Sequence, residues 1–215
     1  MTGGKNQVEE KYILTIDMGT TAFKSAIFDC RGREVSSATE EYQIQTPQPG
    51  WAEMDPDRYI DLFQNVIAKA IEKAQVPKTQ LITLGISVQG ETSVFLDADK
   101  KSLRPAILWC DTRALKEAEE IVDAFGCATI QNHTGQVGCD ALWPGAKLLW
   151  LKKHEPGVFG NIAHILQLNG YFAYLLTGKM AEDDSILGSS IYWNINTRQY
   201  WEEMLESRRH SCRRS

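Results

Sequence analysis

The chain has 215 residues, 43% of them hydrophobic and 24% charged, with a formal net charge of −5. That length buries a sizeable core as one domain or at most two small ones, and the composition excludes collagen, a disulfide scaffold and a disordered chain. The negative balance argues against a broad basic surface, so neither nucleic acid nor an anionic membrane is an expected partner. No apolar run approaches the ~20 residues of a membrane span. The opening MTGGKNQVEEKY also lacks the layout of a signal peptide, so a cytoplasmic protein is expected. The five cysteines (Cys30, Cys110, Cys127, Cys139 and Cys212) form no CxxC pair, which argues against a zinc ribbon or a thioredoxin-like site. The four histidines are scattered and read as surface or core residues, not metal ligands.

Along the chain, residues 1–10 are polar and expected to be disordered. Lys11–Asp17 and Lys24–Asp29 read as strands around the turn Met18–Phe23, and Glu34–Gln45 as a third strand after Arg31-Gly32-Arg33. Thr46–Asp57 is a Pro-rich loop that ends in a helix start, with Asp55 placed as the cap and Pro56 at the first helical position. Tyr59, Phe63, Val66, Ile67, Ala70, Ile71 and Ala74 then recur on one helical face, and Pro77 lies just beyond. Leu81–Val88 and Ser93–Asp97 read as strands around the turn Gln89–Thr92, and Ala106–Cys110 as another strand. Thr112–Phe125, Lys147–Lys153 and Gly170–Leu176 read as helices, Ala163–Gln167 as a short strand, and Gly178–Trp201 as loop with short strands. Hairpins first, then alternating strands and helices, predict an α/β class with a mixed sheet.

Three segments could carry chemistry. In Ile16-Asp17-Met18-Gly19-Thr20-Thr21 and Lys24, a strand-end Asp is followed by a Gly and two Thr in a tight turn. Such a turn offers backbone N–H groups and hydroxyls to an anion, with Asp17 for a metal ion or its water and Lys24 for phosphate charge. The motif is neither a Walker A loop, since Phe23 stands where Gly is needed, nor a GxGxxG fingerprint. The plain alternative is an ordinary hairpin turn. Gln89-Gly90-Glu91-Thr92 places an acid between apolar strands, able to accept hydrogen bonds from sugar hydroxyls; its alternative is a solvated hairpin tip. Trp109-Cys110-Asp111-Thr112-Arg113 puts an aromatic beside Asp and Arg at a strand end, a usual way to stack and hold a sugar. Helix capping by Asp111 explains the same residues.

Taken together, these segments resemble the amino-terminal half of the FGGY carbohydrate kinases, the family of glycerol kinase and xylulokinase. The matching pieces are IDMGTTAFKSAIFD, PGWAEMDPDRY, GISVQGETSVFLDADKKSLRPAILWCDTRA, AKLLWLKKHEPGVF, YLLTGKMAEDDS and NTRQYWEEML, in order over roughly residues 11–205. The resemblance implies an actin-like, ribonuclease-H-like ATPase fold with a mixed sheet flanked by helices. It implies ATP and Mg²⁺ as cofactors, with Asp17, Gly19, Thr20, Thr21 and Lys24 facing the phosphates and Asp17 the metal. It also implies a sugar or polyol substrate, met by Gln89, Glu91, Trp109, Asp111 and Arg113.

Several departures temper that picture. Gly90-Glu91 stands where glycerol kinases have Arg-Glu and xylulokinases Met-His, and Leu142 stands where glycerol kinase has a substrate-contacting tyrosine. A sugar or polyol outside both patterns is expected, with a xylulokinase-like ketopentose still open. Family members run to more than twice this length, and their catalytic base and adenosine site would lie beyond the last residue. The domain is therefore read as residues 11–207 and incomplete, with self-association through surfaces left by the missing half. Arg208–Ser215, with four arginines and no acid, reads as a basic tail unlike the family. The expected function is that of the amino-terminal part of an ATP-dependent carbohydrate kinase, inactive alone. The alternatives are a noncatalytic module that binds a sugar or partner, and another actin-like ATPase or a nuclease with Asp17 as metal ligand.

Overall fold

The computed structural model describes residues 10–205; residues 1–9 of the expected disordered start and the basic tail 208–215 lie outside the described residues. The chain divides into two compact units. One comprises the residues up to Gln43 with Asp57–Val88, the other Ile44–Pro56 with the residues from Gln89 onward. Among the described residues no helix is long and apolar enough to cross a membrane.

The first unit opens with the meander β1 (Tyr12–Met18), β2 (Ala22–Asp29) and β3 (Glu34–Glu41), paired antiparallel. Alternation builds it: Tyr12, Leu14, Ile16 and Met18 turn one face of β1 into the core. The β2–β3 turn is fixed by Asp29, whose carboxylate accepts from the backbone N–H of Arg31 (2.9 Å) and Arg33 (3.0 Å), with Arg33 Nε at 2.7 Å. β2 begins two residues before the expected start, because Ala22 and Phe23 are buried and continue the ladder. β3 stops at Glu41, short of the expected Gln45, which bridges to Glu53 in the other unit's own chain segment.

The chain then contributes β4 (Glu53–Met54) to the second unit and returns as α1 (Pro56–Ala74). Pro56 suits the first helical turn, where its missing N–H has no intrahelical partner to lose. α1 buries Tyr59, Leu62, Phe63, Val66 and Ala70 on one face. Its Ile67, Ile71 and Ala74 pack on Tyr12, Leu14 and Ile27. After a single 3-10 turn at Lys78–Gln80, β5 (Leu81–Val88) pairs parallel to β1, giving the order β3-β2-β1-β5. This sheet is mixed, as expected. β5 is its edge, and the segment LITLGISV carries no charge, with Ile82 53% and Ile86 39% exposed.

The second unit holds an antiparallel sheet in the order β4-β7-β6-β8, from β6 (Ser93–Leu96), β7 (Ala106–Ile107) and β8 (His164–Gln167). β5 and β6 therefore belong to different sheets, and Gln89–Thr92 is a linker between units instead of the expected hairpin tip. α2 (Leu115–Phe125) and α3 (Cys127–Thr134) are separated by Gly126 at φ 76°, then come α4 (Pro144–His154), the one-turn α5 (Pro156–Phe159), α6 (Leu168–Thr177) and α7 (Asp184–Gly188). The hairpin of β9 (Trp193–Asn194) and β10 (Gln199–Tyr200) follows. Their shared core gathers Phe95, Ile107, Ile121, Ile130, Trp150 and Leu151. The expected strand Ala106–Cys110 is only two residues long, because Leu108 onward turns away to bond Ala52 and Asp111. α3 and α7 were not expected: CATIQNHT and DSILG carry too little apolar periodicity to read as helix.

Candidate functional site

In the first unit, Asp17 sits next to the last position of β1, opposite Lys24 of β2 and alongside Ser87 of β5. Side chains that pair across a ladder share a face, so carboxylate, ammonium and hydroxyl stand on one side of the sheet. All three line an open hollow of about 570 Å³ with Thr15, Thr39 and Gly85. Lys24 also borders a second hollow, with Thr21 and Thr39.

The turn between the strands is tighter than a phosphate loop. Gly19 N–H donates to Ala22 O at 3.1 Å, and a Cβ at Gly19 would lie 3.2 Å from that oxygen. The N–H of Gly19 is thus used within the turn. Tyr42 Oη donates to Gly19 O at 2.8 Å, and Tyr42 packs edge-on against Phe23, itself stacked on Tyr59. Thr20 is half-buried and Thr21 exposed in this braced turn.

In the second unit, Glu91 has a left-handed backbone, φ 51°, and is half-buried beside Gln89 and Gly90. A non-glycine residue in this conformation costs of order 1 kcal/mol or more and persists where its surroundings require it. Gly90 faces Ile186 of α7, which a Cβ would meet at 3.7 Å. Trp109 presents a large ring at 38% exposure.

Asp111 and Arg113, which the resemblance assigns to the sugar side, have no exposed side-chain surface. Asp111 accepts from the backbone N–H of Ala52 (2.6 Å) and of Arg113 (3.0 Å), and pairs with Arg113 Nη2 at 2.7 Å. Arg113 Nη2 also reaches Glu53 at 2.7 Å, and the guanidinium lies 3.7 Å over the ring of Trp51 and 5.0 Å over that of Trp150. Glu53 is held in turn by Arg104, which bonds Glu155 at 2.6 Å. Nor does Asp111 cap α2, whose N-cap is Ala114 without a side-chain bond. The pair zips the segment after β7 onto the Gly50–Glu53 loop: Thr112 N–H donates to Gly50 O, and Leu108 N–H to Ala52 O.

Sequence reasoning missed a residue of this region. Lys147 on α4 is fully buried, and its Nζ donates to Leu108 O (2.6 Å), Leu142 O (2.8 Å) and Trp109 O (3.2 Å). Burial pulls its ammonium down to about 7, against the opposing pull of Asp111, Cys110 and Glu91. The signal lay in GAKLLWL, apolar on every side of a helix, which marks a buried helix and hence a buried lysine.

Comparison with known proteins gives this arrangement its family. Residues 12–210 match the model described as the FGGY family of carbohydrate kinases, N-terminal domain. The chain is 34% identical over 198 residues to a probable L-xylulose kinase of Pasteurella multocida, covering 91% of this chain and 40% of that protein. It is 31% identical over 207 residues to a glycerol kinase of Thermococcus gammatolerans, covering 92% and 40%. Among solved structures, one described as a xyloylose kinase from Brucella ovis superposes with a TM-score of 0.85 at 27% identity, over 92% of this chain and 41% of that one. The Plasmodium falciparum glycerol kinase with ADP gives 0.83 at 26% identity, over 93% and 41%. The chain thus spans about 40% of the length of these relatives, and its mixed α/β architecture is that of the actin-like ATPase fold. It belongs to the FGGY family of carbohydrate kinases, and the part it contains matches that family's N-terminal domain.

Proposed function

We propose that this chain is the amino-terminal part of a kinase that transfers phosphate from ATP to a hydroxyl of a sugar or polyol, and that it does not turn over alone. One observation carries the reading: nearly the whole chain matches the N-terminal domain of these kinases, yet spans about 40% of the length of its relatives. Asp17, Thr20, Thr21 and Lys24, with Gly19 shaping the turn, serve the phosphates; phosphoryl transfer asks for positioning and charge neutralisation more than covalent chemistry. The exposed Asp17 carboxylate beside the Ser87 and Thr15 hydroxyls is a hard-oxygen donor set, suited to Mg²⁺, which typically takes one or two carboxylates together with phosphates and water. When bound, the ion supplies charge neutralisation at the transferring phosphoryl group.

Glu91 and Gln89 accept and donate to the hydroxyls of the sugar, and Trp109 stacks on its carbon face. Asp111 and Arg113 shape that side from behind. With Gly90 and Leu142 in place of the residues of both known patterns, the substrate is a sugar or polyol outside those of glycerol kinase and xylulokinase, a xylulokinase-like ketopentose remaining open. A reaction that draws on ATP suits the cytoplasm, and the net charge of −5 supports a small-molecule partner over nucleic acid or an anionic membrane. Copies of the chain associate through the uncharged edge of β5, where Ile82 and Ile86 are exposed.

The test is a coupled ADP-release assay on the purified 215-residue chain with xylulose, gluconate, glycerol and further pentoses and hexoses. The expected result is no sugar-dependent ADP release with any of them. Robust turnover would place the catalytic base within these residues and overturn the reading.

A further inference from the structure

Lys147 is not among the groups assigned to phosphate or sugar, yet it occupies the most demanding position in the second unit. An ammonium carries three N–H donors and no acceptor. Here the three acceptors are backbone carbonyls from two separate segments: Leu108 (2.6 Å) and Trp109 (3.2 Å) after β7, and Leu142 (2.8 Å) in the loop that leads into α4. The side chain has no exposed surface. Burying a cation in this way is unfavourable unless its hydrogen bonds are complete, and here they are. The bonded carbonyls flank the two structures that frame the sugar side, the exposed Trp109 ring and the 139–143 loop.

We propose that Lys147 is a positioning residue: its charged ammonium ties Trp109 and the 139–143 loop into one fixed frame for the sugar. This rests on the assignment of Trp109 and Glu91 to the sugar side. The device depends on protonation, because a neutral amine donates only two N–H bonds and turns a lone pair toward the third carbonyl. The charged groups facing it are Asp111 and Arg113 from the segment after β7, with the Cys110 thiol, and Glu91 from the linker after β5. Asp111 and Glu91 favour the ammonium, while burial and Arg113 oppose it, leaving its titration near neutrality. Sugar affinity therefore falls as pH rises through about 7.

Hydrogen exchange followed by mass spectrometry tests this on the 215-residue chain, with rates corrected for the intrinsic pH dependence of exchange. Wild type, Lys147→Met and Lys147→Arg are compared from pH 6 to 9. In wild type, segments 105–113 and 139–146 should lose protection together by about tenfold as pH rises through 7, while residues 12–29 stay unchanged. Lys147→Met should show the loosened state at every pH. Lys147→Arg, charged throughout, should abolish the pH dependence even if Lys147→Met fails to fold. Independent exchange of the two segments, or loosening of the whole chain alike, would overturn the proposal. Calorimetry with xylulose over the same pH range reads the consequence for affinity, and an affinity flat through pH 7 while the two segments loosen would also overturn it. Absence of xylulose, gluconate and glycerol binding at every pH, with the exchange pattern as expected, would instead count against the sugar assignment.

Discussion

Asp17, at the end of β1, and Asp111, shortly after β7, both lie close to a turn and sit among residues suited to bind a ligand, but the two units use them in opposite ways. Asp17 is exposed on an open sheet face with Lys24 and Ser87. Asp111 has no accessible surface and spends its oxygens on Ala52 and Arg113. The difference comes from what the neighbouring segment offers. Beside Asp17, Lys24 and Ser87 stand on the same open face next to the short hairpin turn braced by Tyr42. Beside Asp111 the Gly50–Glu53 loop brings a backbone donor, a carboxylate and an aromatic face within reach. A carboxylate with a complete set of internal partners is a structural tie, and one left on a polar open face is available to a ligand.

Three substitutions sharpen or break this contrast. The largest effect should come from Arg113→Ala, which strands Asp111 as a buried carboxylate without its cation and leaves Glu53 to Arg104 alone. Losing one partner of a buried pair costs about 3–5 kcal/mol, to be read from urea unfolding monitored by tryptophan emission. A loss below about 1 kcal/mol would mean that the network is loose and Asp111 is free to reach a substrate. A smaller loss, about 1–2 kcal/mol, is expected for Gly50→Ala. Gly50 has φ 79°, and a Cβ there would stand 2.7 Å from Thr112 Oγ1, so the substitution strains the same junction from the other side. The smallest effect on stability belongs to Asp17→Asn, within about 0.5 kcal/mol, as for other exposed substitutions. In a kinase completed with the remaining portion of a relative, that same change should lower kcat by orders of magnitude while the sugar Kd stays nearly unchanged. Wild-type turnover by Asp17→Asn would remove Asp17 from the phosphate side.

Much of this was legible in the residues, for identifiable reasons. Alternation in KYILTID and helical spacing from Tyr59 to Ala74 are local signals, and the strands and helix they mark are present. The Asp17–Lys24 pairing also follows from the hairpin, since register across a short turn is set locally. What could not be read was the partnership between distant segments. PGWAEM looks like a polar loop until Arg113 lies over Trp51, and Asp111 looks like a cap or a sugar ligand until Ala52 donates to it. The break of β5 and β6 into different sheets was hidden for the same reason: two strands near in sequence read as a hairpin unless each finds a better neighbour elsewhere. Lys147 sat in plain view within the apolar stretch GAKLLWL, but its three carbonyls come from residues up to 39 positions away.

The interleaved path of the chain has a consequence for the order of folding. The first unit forms its meander from adjacent hairpins, whereas the junction of the second needs Gly50 to meet Thr112, 62 residues later, with Ala52 and Asp111 separated by 59. Contacts so far apart must close a long loop before they gain anything, which slows their formation relative to local pairing. All six tryptophans, Trp51, Trp109, Trp143, Trp150, Trp193 and Trp201, belong to the second unit. Tryptophan emission is therefore a private clock for the second unit and its long-range junction, while far-ultraviolet circular dichroism also records the local meander of the first. During refolding from urea, the dichroism signal should recover in part before emission does, and Gly50→Ala should slow the emission phase while leaving the early dichroism phase unchanged.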